Sequence, residues 1–277
     1  MNRGAGRKPR HVIAGALGGA VVVAVATTAW GRFGHVSPAR SSALAAGPDF
    51  AAAAALPASP RPAFQPKRPV LLSHSRRETR WAPLIRPTTA RSAPEASARP
   101  VADLKTETPE GTSNIVVVEA ETTAGGTLWA RVALPVLPNG TLGWIPRSAL
   151  GGYEFVQTRL VVDREQLAAT LLRNGRAVFR APVGVGEPQW PTPAGTFYIR
   201  ETLTKFRSPF YGPIAFGTNA RSAVLTDWPG GGFIGIHGTD EPSLLPGRVS
   251  HGCIRLRNSD ILELARLMPV GTPVTIE

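Results

Sequence analysis

The sequence predicts a mainly β protein: two folded units behind an apolar N-terminal segment and a long spacer. Three observations carry that prediction. From Arg80 onward, short apolar runs alternate with turn-rich stretches, the texture of strands rather than of long helices. Residues 31–78 are crowded with Ala, Pro, Ser and Arg and keep no sustained period of 3.6 or 2. In the folded part, only one segment has the face and the ends of a helix.

The elements follow in order. Arg3, Arg7, Lys8 and Arg10 form a basic stub, residues 1–11, ahead of Val12–Trp30, nineteen residues without a charge. As a helix rising ~1.5 Å per residue, these span roughly 28 Å, close to the ~30 Å hydrocarbon thickness of a bilayer. Residues 12–30 therefore read as a signal-anchor, with the stub cytoplasmic and the rest exported. A cleaved signal peptide is the alternative, since Ala24-Val25-Ala26 offers small residues near a plausible cut. The anchor is favoured because the stretch is long for a signal core.

Residues 31–78 read as a disordered linker, made semi-rigid by Pro57, Pro60, Pro62, Pro66 and Pro69. Beyond it, apolar runs at Trp81–Ile85, Pro100–Leu104, Ile115–Val118, Leu128–Leu134 and Gly143–Leu150 predict a small β-barrel over 79–150. Pro138-Asn139-Gly140 supplies a hairpin turn inside it. A second unit, 153–277, has strand candidates at Phe155–Val162, Gly195–Glu201, Ser222–Asp227, Phe233–His237 and Thr272–Ile276. Asn174-Gly175 turns Ala168–Leu172 back onto Arg176–Val185. The helix lies near the end: Asp260 and Glu263 suggest a capping box, Ile261, Leu264, Ala265 and Met268 share a face, and Pro269 and Gly271 stop it.

Net charge is +12, from 31 Lys+Arg against 19 Asp+Glu. Residues 1–100 carry 15 of the bases and three acids, which accounts for all of it. The remainder holds 16 of each sign and nets to zero. The folded part has no electrostatic reason to grip a polyphosphate, so nucleic acid is excluded as its partner.

The chain has one cysteine, Cys253, so no intramolecular disulfide forms. In an exported protein, such a thiol is either paired with another chain or free and reactive. It lies in Ser250-His251-Gly252-Cys253-Ile254-Arg255-Leu256, with His237-Gly238-Thr239 upstream. A thiol with the reference pKa of ~8.5 needs a base or a cation beside it to act as a nucleophile near neutral pH. His237 ends a strand and His251 stands two positions from the cysteine, so either can reach the thiol. Gly252 lets the chain turn tightly and frees an amide for a developing oxyanion. Arg255 shares a side with Cys253 in extended chain and can steady a thiolate or bind a carboxylate. A buried structural cysteine is the bland alternative. Zinc is disfavoured, because His-x-Cys with one distant histidine lacks the spacing of a structural site. No metal and no cofactor is expected.

These residues resemble the signature of the L,D-transpeptidases with a YkuD-type catalytic domain. The likeness runs upstream through Val183-Gly184-Val185-Gly186 and Thr192-Pro193-Ala194-Gly195-Thr196-Phe197, covering about 155–277. The run Leu128–Leu134 followed by Gly143-Trp144-Ile145-Pro146 resembles the bacterial SH3-like domain. The resemblance implies an L,D-transpeptidase-type two-sheet β-sandwich with a flap, preceded by an SH3-like barrel that targets or supports it. It implies that Cys253 attacks a peptidoglycan stem tetrapeptide, releases D-alanine, and passes the acyl group to a neighbouring stem amine as a 3→3 cross-link. His237 would be the general base, oriented by the carbonyl of Gly238. His251 and the amides of Gly252 and Cys253 would line the oxyanion hole, with Arg255 close by. Ser250, Tyr211 in a lid over Thr202–Gly217, and Trp228 opposite are the expected substrate contacts. The same motif fits an L,D-carboxypeptidase, and a non-catalytic wall-binding protein is the reading from another class. The expected partner is the stem peptide, met outside the cytoplasm by a membrane-anchored monomer.

Overall fold

The computed structural model of the chain describes residues 69–72, 78–205, 208–225 and 231–277. The expected anchor Val12–Trp30, most of the linker and Trp228 lie outside the described residues. No helix among the described residues is long and apolar enough to cross a membrane.

Two sheets make up the described chain. The first holds β1 (Val70–Leu71), β2 (Thr79–Pro83), β3 (Thr88–Arg91), β4 (Pro100–Leu104), β5 (Ile115–Ala124), β6 (Thr127–Ala133), β7 (Leu142–Pro146) and β8 (Glu154–Val156). It is antiparallel, ordered β4-β3-β7-β6-β5-β2-β8, with β1 also on β5. The second holds β9 (Thr158–Asp163), β10 (Ala168–Arg173), β11 (Arg176–Pro182), β12 (Gly184–Gly186), β13 (Gly195–Leu203), β14 (Ala215–Arg221), β15 (Phe233–His237), β16 (Gly247–Ser250), β17 (Ile254–Arg255) and β18 (Pro273–Ile276). Its order is β11-β10-β9-β18-β13-β14-β15-β17-β12-β16. The first half of β13 pairs with β18 and the second half with β14, so one strand joins two halves. Between them lies a core that includes Leu160, Val162, Phe216, Ile234, Ile236 and Ile254, and helix α1 (Asn258–Leu267) adds Ile261 and Leu264.

Several expectations are corrected. Phe155–Val162 is not one strand: β8 pairs with β2 in the first sheet, and β9 starts the second. The first unit therefore runs on to Val156, past the expected limit at 150. Residues 222–225 form no strand; β14 comes earlier, and its first residues overlap the end of the segment expected to be the lid. Its sequence hides it because both faces are buried, so polar and apolar residues do not alternate. Thr218 and Asn219 tolerate this because each has a partner. The Thr218 hydroxyl donates to the Ile234 carbonyl (2.6 Å), and Asn219 Oδ1 accepts from the Tyr198 amide (2.8 Å). The capping box is absent as well: α1 starts after Arg257 with no side-chain cap, and Asp260 sits within the first turn, where its charge still suits the helix dipole. Asn174-Gly175 is the tight turn expected, with φ of 52° and 81°. The Pro138-Asn139-Gly140 turn belongs to a wider connection, closed by Leu134 N–H on the Thr141 carbonyl (2.9 Å).

The seam between the sheets explains the apolar run that opens β5. Val116 and Val118 face the core of the first unit, whereas Ile115 and Val117 pack on Tyr198 of β13. The Tyr198 hydroxyl reaches the Ile115 carbonyl at 3.2 Å, and burial holds its proton more tightly than in free tyrosine. Asn139 clips the seam from its turn: it donates to the Arg221 carbonyl (2.8 Å) and accepts from the Arg221 amide (2.9 Å). Glu201, almost fully buried, accepts from Thr108 (2.7 Å), Thr112 (2.5 Å) and Arg200 (2.7 Å). The first unit is packed onto the second by specific polar contacts as well as by apolar ones.

Candidate active site

Strand register brings the signature together. β15 and β17 run parallel, with Ile236 opposite Ile254 and His237 opposite Arg255. Cys253 directly precedes β17, so it lies beside Gly235, whose N–H donates to Sγ at 3.4 Å. Gly235 has no side chain to stand between the partners. A Cβ there would meet Cys253 Sγ at 3.8 Å and His237 Cδ2 at 3.9 Å.

The turn from β16 into Cys253 is held by its own polar groups. The Ser250 hydroxyl donates to the Cys253 carbonyl (2.5 Å) and accepts from the Gly252 amide (3.1 Å). Thr192 Oγ1 donates to the Gly252 carbonyl and accepts from the Gly186 amide, each at 2.8 Å. Gly252 adopts φ +110°, which glycine alone takes without strain, and a Cβ would come within 3.0 Å of Ile234 Cδ1. Two expected roles change accordingly. Ser250, expected to bind substrate, spends its hydroxyl on this turn. The Gly252 amide, expected to face an oxyanion, points to Ser250.

His237 is 1% exposed, and its Nδ1 lies 2.6 Å from the Gly238 carbonyl oxygen. A carbonyl only accepts, so Nδ1 carries the proton and Nε2 keeps a lone pair. Nε2 is buried and has no hydrogen-bond partner. Burial lowers the His237 pKa to about 4, and the Arg255 cation pushes the same way against the Gly238 carbonyl. The ring is enclosed by Tyr211, edge-on with centroids 5.0 Å apart, and by Phe210 at 5.8 Å. Burial raises the pKa of Cys253, outweighing the Gly235 N–H and the Arg255 cation. The resting pair is thus a neutral thiol and a neutral imidazole.

One cavity is lined by Tyr211, His237, Ser250, His251, Cys253 and Arg255, so these expected site residues meet in one place. The exposed His251 ring lies on Trp190, with centroids 4.1 Å apart. Arg255, 5% exposed, pairs with Glu241 (3.5 Å) and lies over Phe210 (4.4 Å). Among the described residues, no group of three His, Cys, Asp or Glu is placed to hold a metal.

Four contributors escaped the sequence reading. Gly235 and Phe210 carry no chemistry that marks them. Thr192 lies in the Thr192–Phe197 motif, whose sequence assigns its hydroxyl no role. Asn258, first in α1, accepts from the Thr239 amide (3.0 Å) and packs against Gly238 and Gly212, where a Cβ on either glycine would fall 2.3 Å from its Oδ1. Those two glycines let the end of the lid segment close on the carbonyl that orients His237.

Residues 157–276 match the family model of the YkuD L,D-transpeptidase catalytic domain. The chain is 40% identical over 107 residues to YkuD of Bacillus subtilis, covering 39% of this chain and 58% of the relative. It is 36% identical over 118 residues to YkuD of Bacillus licheniformis, covering 43% and 64%. The chain thus spans about three-fifths of the length of these curated relatives. An NMR structure of the catalytic domain from an E. faecium L,D-transpeptidase aligns at 25% identity and a TM-score of 0.33, covering 43% of this chain and 96% of that one. The segment matched to the L,D-transpeptidase catalytic domain contains the turn, the thiol and both histidines of the cavity.

Proposed function

We propose that the chain is a peptidoglycan L,D-transpeptidase that forms 3→3 cross-links through a thioester on Cys253. The observation that carries this is the His237 ring: a buried Nε2 with its lone pair available, in one cavity with the chain's single thiol. Nε2 takes the thiol proton as sulfur attacks the stem carbonyl. The backbone amide of Cys253 and His251 stabilise the oxyanion, and Arg255 adds positive charge nearby. Collapse breaks the C–N bond, and His237 returns the proton to the departing D-alanine amine. A stem amine then attacks the thioester, a C–N bond forms, and the C–S bond breaks.

This reading places the folded part outside the cytoplasm, tethered by Val12–Trp30, where its polymer lies. The first unit, read as SH3-like, serves as packing support for the catalytic one.

The test is direct. Purified protein given tetrapeptide stems should release D-alanine and yield joined stems by mass spectrometry, and a carbapenem should add to Cys253. Activity retained in Cys253→Ala would overturn the reading. Trimmed monomers without dimers would assign L,D-carboxypeptidase chemistry instead.

A further inference from the structure

Phe233 opens β15 and stands half-buried on the wall of the cavity that holds Cys253 and His237. Alternate residues of a strand share a face, so Phe233, Gly235 and His237 point the same way. Gly235 contributes no side chain, and Cys253 Sγ lies against it. The gap before the thiol is therefore bounded by the His237 ring at one end and the Phe233 ring at the other, roughly 13 Å apart along the strand.

Backbone pairing alone leaves Phe233 loosely placed. The β14–β15 ladder is regular from the Ala215–His237 pair to the Gly217–Gly235 pair, then breaks, and resumes at Arg221 opposite Phe233. A strand bends at such an irregularity, so the set of the ring depends on its neighbours. Two arginines hold it, with guanidinium carbons 4.1 Å (Arg200) and 4.6 Å (Arg221) from its centroid. Both are anchored from the first unit. Arg200, 3% exposed, donates to Glu201 (2.7 Å) and to Glu110 of the first unit (3.3 Å). Glu201 in turn accepts from the Thr108 and Thr112 hydroxyls of that unit. Arg221 is fixed through its backbone by Asn139. The cation that bears on the pKa values of Cys253 and His237 is Arg255, which leaves the ring as the route by which Arg200 reaches the site.

Resting on the transpeptidase reading, we infer that Arg200 is a positioning residue: tied to the first unit, it holds the Phe233 ring as the wall against which the donor stem lies. Donor binding then depends on the ion pair that crosses between the units. The chemical step does not, because the parallel pairing of β15 with β17 sets Cys253 beside Gly235 and His237 without it.

The experiment uses the full chain and follows D-alanine release from a tetrapeptide stem across pH. Phe233→Leu leaves every charge in place and should raise KM for the stem about tenfold, with kcat held within about twofold. Arg200→Gln should raise KM about fivefold, and Arg200→Lys, which keeps the charge, should recover part of that. In the Phe233→Leu background, Arg200→Gln should add nothing, since the ring it holds is gone. Should Arg200→Gln fail to fold, with Glu201 buried and uncompensated, the neutral pair Arg200→Gln with Glu201→Gln replaces it in the cycle. A merely structural role would lower the amount of active enzyme, and so kcat, and leave KM alone. That result, additive KM effects in the cycle, or a displaced acid limb in Arg200→Gln would overturn this inference alone. Failure of the unmodified protein to release D-alanine would overturn the transpeptidase reading and this inference with it.

Discussion

The Gly238 carbonyl oxygen lies 2.6 Å from Nδ1 of His237, the residue directly before it, and this contact decides which nitrogen is free to take a proton. His251 has its ring on Trp190 instead. The two histidines of the cavity should therefore fail differently. His237→Ala should lower acylation by about 10²–10⁴-fold and abolish the acid limb of the kcat/KM profile. His251→Ala should slow the reaction and keep that limb. Loss of the limb in His251→Ala alone would exchange the roles.

Burial of the pair has a consequence for stability. In the unfolded chain His237 takes up a proton near pH 6.5, but in the folded protein only near pH 4. Within that window the unfolded state holds more protons, so stability falls as pH drops and levels off below about 4. The contribution is about 3 kcal/mol. Denaturant titrations at pH 7 and pH 4 should show this loss in the unmodified protein and a smaller one in His237→Gln. An equal loss in both would place the acid sensitivity elsewhere.

The chemistry of the site was more legible in the sequence than its support. A lone thiol, a histidine at a strand end and a glycine before the cysteine are residue types that few other tasks require. Their grouping follows from a parallel pairing of β15 with β17, which local periodicity does not encode. The same limit hid β14, whose buried faces remove the alternation that marks a strand. It also led Ser250 to be read as a substrate contact, because a hydroxyl committed to a turn looks the same in sequence as one offered to a ligand. Arg255 does favour the thiolate, but burial outweighs it.

Thr192 tests how far the turn governs catalysis. Its hydroxyl joins the Gly252 carbonyl to the Gly186 amide, so Thr192→Val leaves both without that partner at an almost fully buried position. Stability should fall by about 1–3 kcal/mol. Acylation at a temperature where the variant is fully folded should fall further than that loss explains, since the thiol is no longer held on its turn. Thr192→Ser should recover most of the rate. An unimpaired rate in the valine variant would make Thr192 a packing residue only.

The seam offers the last prediction. Asn139 exchanges two hydrogen bonds with the backbone of Arg221, one in each direction, and no other side chain of its turn replaces them. Asn139→Ala should cost about 2 kcal/mol, lowering Tm by roughly 4–8 °C if the two sheets melt together. Arg221 leads directly into Ser222 and Leu225, which line the cavity at the thiol. Loosening the clip should therefore raise KM for the donor stem more than it lowers kcat. Two separate melting transitions in the variant, with unchanged donor KM, would mean that the first unit steadies the second without shaping its site.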